Sequence, residues 1–362
     1  MQEVRAQGPN VYERFDMLRF PLIVLVVYLH NGSGTVRFAN AGIVERSSSP
    51  MLDYFVAFLS DGVARVAVPL FFLMAGYLFF RGVEWSRSAY TTKLRSRLRS
   101  LLIPYLFWNV LLFVAVWLAQ RSPAMATYFG GSHLGDLASF GTVDAILGIT
   151  KSPISYQFWF IRDLMVLVVA TPLIYLTAVG RWTGIAFALV LLALWVADAW
   201  PIPIPAIEAT CFFYLGCWAA IGRRDIFLFD KIWLPALTLS VAMFAVRPFF
   251  ADSVSSRPLL CGGIICGLVA ALAISDFAAR NAHLNRSLSW LATASFFLFA
   301  VHEPILTASR KLLARFISSS ELAGAAGYLL LPLAIAVFGV VCYRIGMLVL
   351  PRLTSTVTGG RR

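Results

Sequence analysis

The chain has 362 residues, of which 59% are hydrophobic and only 13% charged, and its mean hydropathy is +0.78. A soluble chain of this length carries about twice that charged fraction, so an ordinary water-soluble globular protein is excluded. The net charge of +12 does not point to nucleic acid, because excess Lys and Arg in so apolar a chain mark cytoplasmic segments and anionic headgroups.

Apolar runs recur along nearly the whole length and lack period-two alternation, which predicts an all-α, polytopic membrane protein rather than a β-barrel. About ten transmembrane helices are expected, at roughly 15–31, 62–80, 101–119, 159–178, 184–199, 206–221, 232–250, 258–277, 289–308 and 324–350. With both termini cytoplasmic, 18 of the 30 Lys and Arg fall on the inner side, the bias that orients such proteins. Residues 1–362 read as a single membrane-embedded domain with short disordered tails at about 1–12 and 353–362. No internal repeat is visible. The five cysteines lie inside apolar spans without metal-ligand spacing and read as small core residues, so no metal is expected.

In the first span, Arg19 opens an apolar run that closes on His30 and Asn31. Eleven helical steps turn through about 1100°, so Arg19 and His30 share a face roughly 16 Å apart along the axis. A snorkelling arginine with a satisfied histidine explains this pair blandly; a cationic anchor joined to a proton-transfer group explains it functionally. The second span ends with Gly76, which permits close helix packing.

Before the third span, Lys93, Arg95, Arg97 and Arg99 make a broad basic surface. It serves either as a topology signal against lipid phosphates or as a cradle for an anionic cytosolic ligand. The loop 120–158, with Gly130-Gly131-Ser132, is the longest outer connection. The fourth span opens with Trp159, Arg162 and Asp163, either an aromatic belt with a neutralised charge or a group that stacks and hydrogen-bonds a sugar. The ninth carries His302, Glu303 and Pro304, the proline freeing a backbone carbonyl at membrane depth. Ionisable groups on three spans at one outer level predict a polar chamber open to the outside. His133 and His283 read as exposed loop residues.

The order and spacing of these residues resemble the integral-membrane acyltransferase 3 family of bacterial surface-polysaccharide modification. The resemblance rests on Arg19-x10-His30 preceded by Asp16, Phe71-Phe72-x-x-x-Gly76-Tyr77-Leu78, and Arg97-x-Arg99 before Pro104. It continues through Trp159-Phe160-x-Arg162-Asp163-Leu164, Phe213-Tyr214 with Gly216, and His302-x-Pro304. It implies a multi-pass protein of the bacterial cytoplasmic (inner) membrane that moves an acyl group, usually acetyl, from cytosolic acyl-CoA to a hydroxyl of an extracytoplasmic saccharide. Arg19 and His30 carry over as catalytic residues, and Arg95, Arg97 and Arg99 as the hold on the CoA phosphates.

Asn31, Trp159, Arg162, Asp163, His302 and Glu303 are then candidates for binding or orienting the substrate. Acetyl-CoA is the expected donor, and the acceptor is a saccharide, lipid-linked or already polymerised. Lipids are the remaining partner. Ala75 departs from the family, which often has Ser before Gly-Tyr, and no soluble hydrolase-like domain is appended. His30 acts either as general base or through an acyl-histidine. A transporter or flippase for a lipid-linked saccharide, without acyl chemistry, is the competing class.

Overall fold

The computed structural model describes residues 9–32, 49–82, 84–122, 134–137, 139–316 and 321–360; Gly130-Gly131-Ser132 and His133 lie outside them. Among the described residues all regular structure is helical. Helix α1 (Val11–Gly32) starts from a reciprocal cap. Asn10 Oδ1 accepts from the backbone N–H of Tyr12 (2.9 Å) and Glu13 (3.1 Å), while the Glu13 carboxylate accepts from Asn10 N–H (2.9 Å). Ser49 caps α2 (Pro50–Leu59), which leads through a tight turn into α3 (Ala67–Phe80); Ser86 caps α4 (Arg87–Gln120). At 34 residues α4 is about 51 Å long, well beyond a hydrocarbon core of about 30 Å, so its basic first turns extend past the apolar layer.

The chain continues through α5 (Ser139–Leu147), α6 (Trp159–Val169), α7 (Thr171–Ala178), α8 (Arg181–Ala197), α9 (Ile207–Ile221), α10 (Trp233–Val246) and α11 (Ser256–Arg280). It ends with α12 (Ala282–Ala292), α13 (Ser295–Phe316), α14 (Glu321–Val349) and α15 (Pro351–Val357). Among the described residues six helices are long and apolar enough to cross a membrane, or eight if each of two bent pairs is one crossing. The remaining expected spans, 184–199 and 206–221, correspond to α8 and α9, which at 17 and 15 residues are shorter than that length.

The expected span at 159–178 is a bend of 62° between α6 and α7. Pro172 cannot donate to the Val168 carbonyl, and the Thr171 hydroxyl takes that carbonyl instead at 2.8 Å. The span at 289–308 bends by 59° between α12 and α13, and its first arm begins at Ala282, so His283 lies on a helix. The expected loose tail at 353–362 is corrected as well. Residues 351–357 are helical, Thr354, Val357 and Thr358 are buried, and Trp108 Nε1 donates to Val357 O at 3.0 Å.

Helices α3 and α9 cross with almost no space between them: a Cβ on Gly76 would collide with the Phe213 carbonyl, and one on Gly216 with the Leu73 carbonyl. Aromatic side chains fill the centre, with Phe15, Phe72, Tyr105, Phe158, Phe212 and Phe213 nearly inaccessible. Large apolar side chains such as Leu118, Leu173, Trp182, Leu189 and Leu348 face outward, the surface of a protein solvated by lipid.

Near its start α1 carries a buried arginine that fixes it to its neighbours. Arg14 pairs bidentately with Asp230 (2.8 and 3.0 Å), donates to Ser275 Oγ (3.1 Å), and lies over the Phe227 ring at 3.4 Å. Tyr12 sits near Arg81 at the end of α3, and Gly359 close to Ser100 in the basic stretch of α4, so both described chain ends lie at the Arg19 end of the bundle.

Candidate functional site

Inside the bundle is a cavity of about 430 Å³ that runs along the Arg19–His30 face of α1. Asp16, Arg19, Arg97 and Ser289 line one end and His30 and Gln157 the other, with Val26, Phe71, Met74, Phe160 and Phe299 among the apolar walls between them. The two ends differ in charge. Arg19 is held by Asp16 at 2.7 Å on the neighbouring turn, and Arg97 is close enough to feel its charge, so the mouth is net positive. The other end is an imidazole.

His30 Nδ1 is 3.0 Å from the Tyr156 hydroxyl, which also hydrogen-bonds Glu303 Oε1; the other Glu303 oxygen accepts from Thr307 Oγ1 at 2.7 Å. A hydroxyl has one proton to give. With the Tyr156 proton on the carboxylate, its oxygen accepts from His30 Nδ1–H, and Nε2 keeps its lone pair. Among the described residues no group bonds that nitrogen, and His30 lines the cavity. The arrangement thus supplies an oriented base backed by a buried carboxylate.

His302 stands beside it, with ring centroids 5.3 Å apart. Its Nδ1 faces the Phe299 carbonyl at 2.7 Å, which can only accept, so Nδ1 carries the proton and the buried Nε2 is an acceptor without a partner among the described residues. The prolines position this end. Pro304 cannot donate to the Ala300 carbonyl, and Gln157 Nε2 does so at 3.0 Å. Pro332 frees the Tyr328 carbonyl in the same way, and Asn31 Nδ2 takes it at 2.9 Å. Asn31 therefore fixes the end of α1 rather than facing the cavity.

The other sequence candidates divide. Trp159 lines the cavity wall beside Phe72 and Phe160. Arg162 and Asp163 are occupied within the fold. Arg162 pairs with Asp163 (2.9 Å) and donates to the carbonyls of Gly148 (2.7 Å) and Lys151 (2.9 Å), and Asp163 accepts from Ala206 N–H (2.8 Å). Of the basic run, Arg97 lines the cavity, Arg95 and Arg99 are exposed, and Lys93 caps α3 through the Phe79 carbonyl. Ala75, the departure noted from the sequence, lines the wall.

Tyr156, Gln157, Ser295 and Thr307 were not anticipated. Tyr156 and Gln157 sit in a turn just before the Phe158-Trp159 stretch, and only the freed carbonyl implied by Pro304 hinted at Gln157. Among the described residues no group of three or more His, Cys, Asp or Glu stands ready to hold a metal ion.

A family model described as an acyltransferase domain, acyltransferase 3, matches residues 12–345. The succinoglycan biosynthesis protein ExoH of Rhizobium meliloti is 26% identical over 314 residues, covering 82% of this chain and 79% of ExoH. No solved structure matches.

Proposed function

The chain belongs to the acyltransferase 3 family, and from that premise we propose that it transfers an acyl group, acetyl in the simplest case, from cytosolic acyl-CoA to a hydroxyl of a saccharide across the membrane. One observation carries the reading: a single cavity joins a cationic mouth to an oriented imidazole about 16 Å away along α1. The mouth suits phosphates, with Arg97 and Arg19 lining it and Arg95 and Arg99 on the exposed surface beyond. The apolar walls suit a thin arm that brings a thioester to His30. Family membership and the outward-facing apolar surface support a multi-pass protein, here of the bacterial inner membrane. Counting α8 and α9 as crossings gives ten, and the shared end of the two chain termini, beside the basic start of α4, is then cytoplasmic.

In this mechanism His30 Nε2 takes the proton from the acceptor hydroxyl as its oxygen attacks the thioester carbon. The Nδ1–H bond to Tyr156, backed by Glu303, holds the ring and stabilises the imidazolium. The imidazolium then protonates the departing thiolate. His302, fully buried and off the cavity wall, packs beside the base, and Trp159 offers an aromatic face along the wall. The name of ExoH, a succinoglycan biosynthesis protein, supports an acceptor made for a surface polysaccharide, lipid-linked or polymeric.

The test is the protein in nanodiscs with radiolabelled acetyl-CoA and a saccharide acceptor. Label appearing in the saccharide, and lost with His30→Ala, supports the reading. Movement of a lipid-linked saccharide between leaflets with no acyl transfer would replace it with a flippase.

A further inference from the structure

The cavity between the charged mouth and His30 is largely apolar, but two polar groups on its wall hold hydrogen-bonding capacity that the fold does not use. Ser295 is 7% exposed, and its hydroxyl bonds no group among the described residues. Gln157 is 2% exposed; its amide nitrogen is committed to the Ala300 carbonyl, which fixes the amide orientation and leaves Oε1 as an acceptor with no hydrogen bond among the described residues. Neighbouring hydroxyls differ. Thr293 donates to the Trp290 carbonyl at 2.8 Å, and Ser289 bonds Asn285 at 3.1 Å. A buried hydroxyl left unpaired is destabilising, so a fold that leaves one beside a cavity implies a partner that arrives with a ligand.

We infer that Gln157 and Ser295 form a subsite for the amide-bearing arm of a thioester donor. This rests on the acyl-CoA reading above. Between its phosphates and its sulfur such a donor has two secondary amides, each of which loses hydrogen bonds to water on entering an apolar shaft. Gln157 Oε1 lies at the level of Ala300, next to the Tyr156–His30 contact, and is placed to accept from the N–H of the amide nearer the thioester. Ser295 is five residues earlier on α13, about 7.5 Å nearer the mouth. It is placed to donate to the carbonyl of the second amide, about 6 Å from that N–H in an extended arm. Ser295 lines the cavity. The pair thus sets the depth of the arm, and with it the position of the acyl carbon relative to His30.

Ser295→Ala separates this role from a structural one. A hydroxyl that supports the fold destabilises the protein when removed; one reserved for a ligand does not. Calorimetric binding of acetyl-CoA to the nanodisc protein is expected to weaken about three- to tenfold in Ser295→Ala, while the thermal midpoint of the ligand-free protein is unchanged or raised. Ser295→Cys, nearly isosteric with a weak donor, falls between. An acetyl-CoA analogue whose two amides are replaced by methylene units should bind wild type and Ser295→Ala alike. Equal acetyl-CoA affinity in wild type and Ser295→Ala, or a lowered ligand-free midpoint in that variant, overturns the subsite and leaves the acyl-CoA reading standing. No binding of acetyl-CoA to the wild type removes both.

Discussion

The Tyr156 hydroxyl shows how one proton fixes the state of a neighbouring residue. Because it is donated to Glu303, His30 is left with a free Nε2 on the cavity side. His30→Ala should lower acyl transfer by about 10²–10⁴. Tyr156→Phe and Glu303→Gln should each lower kcat by about 10- to 100-fold with little change in the KM for donor, because they release the ring without removing the base. The double variant should cost little more than the worse single one, since all act through one chain of hydrogen bonds. Initial rates with labelled donor check this. His30 was legible from sequence because an imidazole in an apolar helix is costly and so invites a reason. Tyr156 and Thr307 were not, since a tyrosine and a threonine in such a chain are unremarkable until a fold brings them to a carboxylate.

At the scale of elements, helix ends and breaks decide where side chains go. The sequence shows Gly76 and Gly216 as small residues in apolar runs, but not that each faces a carbonyl of the other's helix, Phe213 and Leu73 respectively. Gly76→Ala should destabilise by about 1–3 kcal/mol or more, because the added methyl meets rigid backbone; detergent unfolding followed by circular dichroism reads this. The Arg162–Asp163 pair looked like part of a polar chamber and instead anchors the 148–151 turn.

The same turn holds a pH-sensitive contact outside the candidate crossings. Asp144 accepts from the Thr150 side chain (2.6 Å) and backbone N–H (2.7 Å), bonds that hold its carboxyl below the usual carboxylate range. A depressed folded-state pKa means that this stabilisation is complete above the unfolded value of about 3.9 and is lost as pH falls through the folded value. The thermal midpoints of wild type and Thr150→Val should therefore differ at pH 7 and converge on acidification below about 4.

For the whole molecule, composition alone was enough to identify the class. The arrangement was harder to read, because α8 and α9 are short and two candidate crossings are helix pairs bent at breaks that hydropathy averages over. Charge bias assigned both ends to one side of the membrane, and the contacts of Tyr12 with Arg81 and of Gly359 with Ser100 bring the described ends to one end of the bundle. Single cysteines test which side that is. Thr356→Cys, at an exposed position of α15, should react with a membrane-impermeant maleimide only in inverted vesicles, and the exposed Asp252→Cys only in intact cells. The native Cys211, Cys217 and Cys261 are buried, and the half-buried Cys266 and Cys342 are replaced by alanine in the background.

The proline at 304 interrupts the hydrogen-bond ladder of α13, and Gln157 has become the replacement rung. Substituting alanine restores the ordinary ladder and should raise the melting temperature, by an amount limited by how far the helix has already adapted to the gap. The same repair frees the glutamine amide to swivel, and with it the turn that carries Tyr156. Pro304→Ala is thus expected to produce a sturdier protein that turns over more slowly, measurable as opposite shifts in melting temperature and kcat.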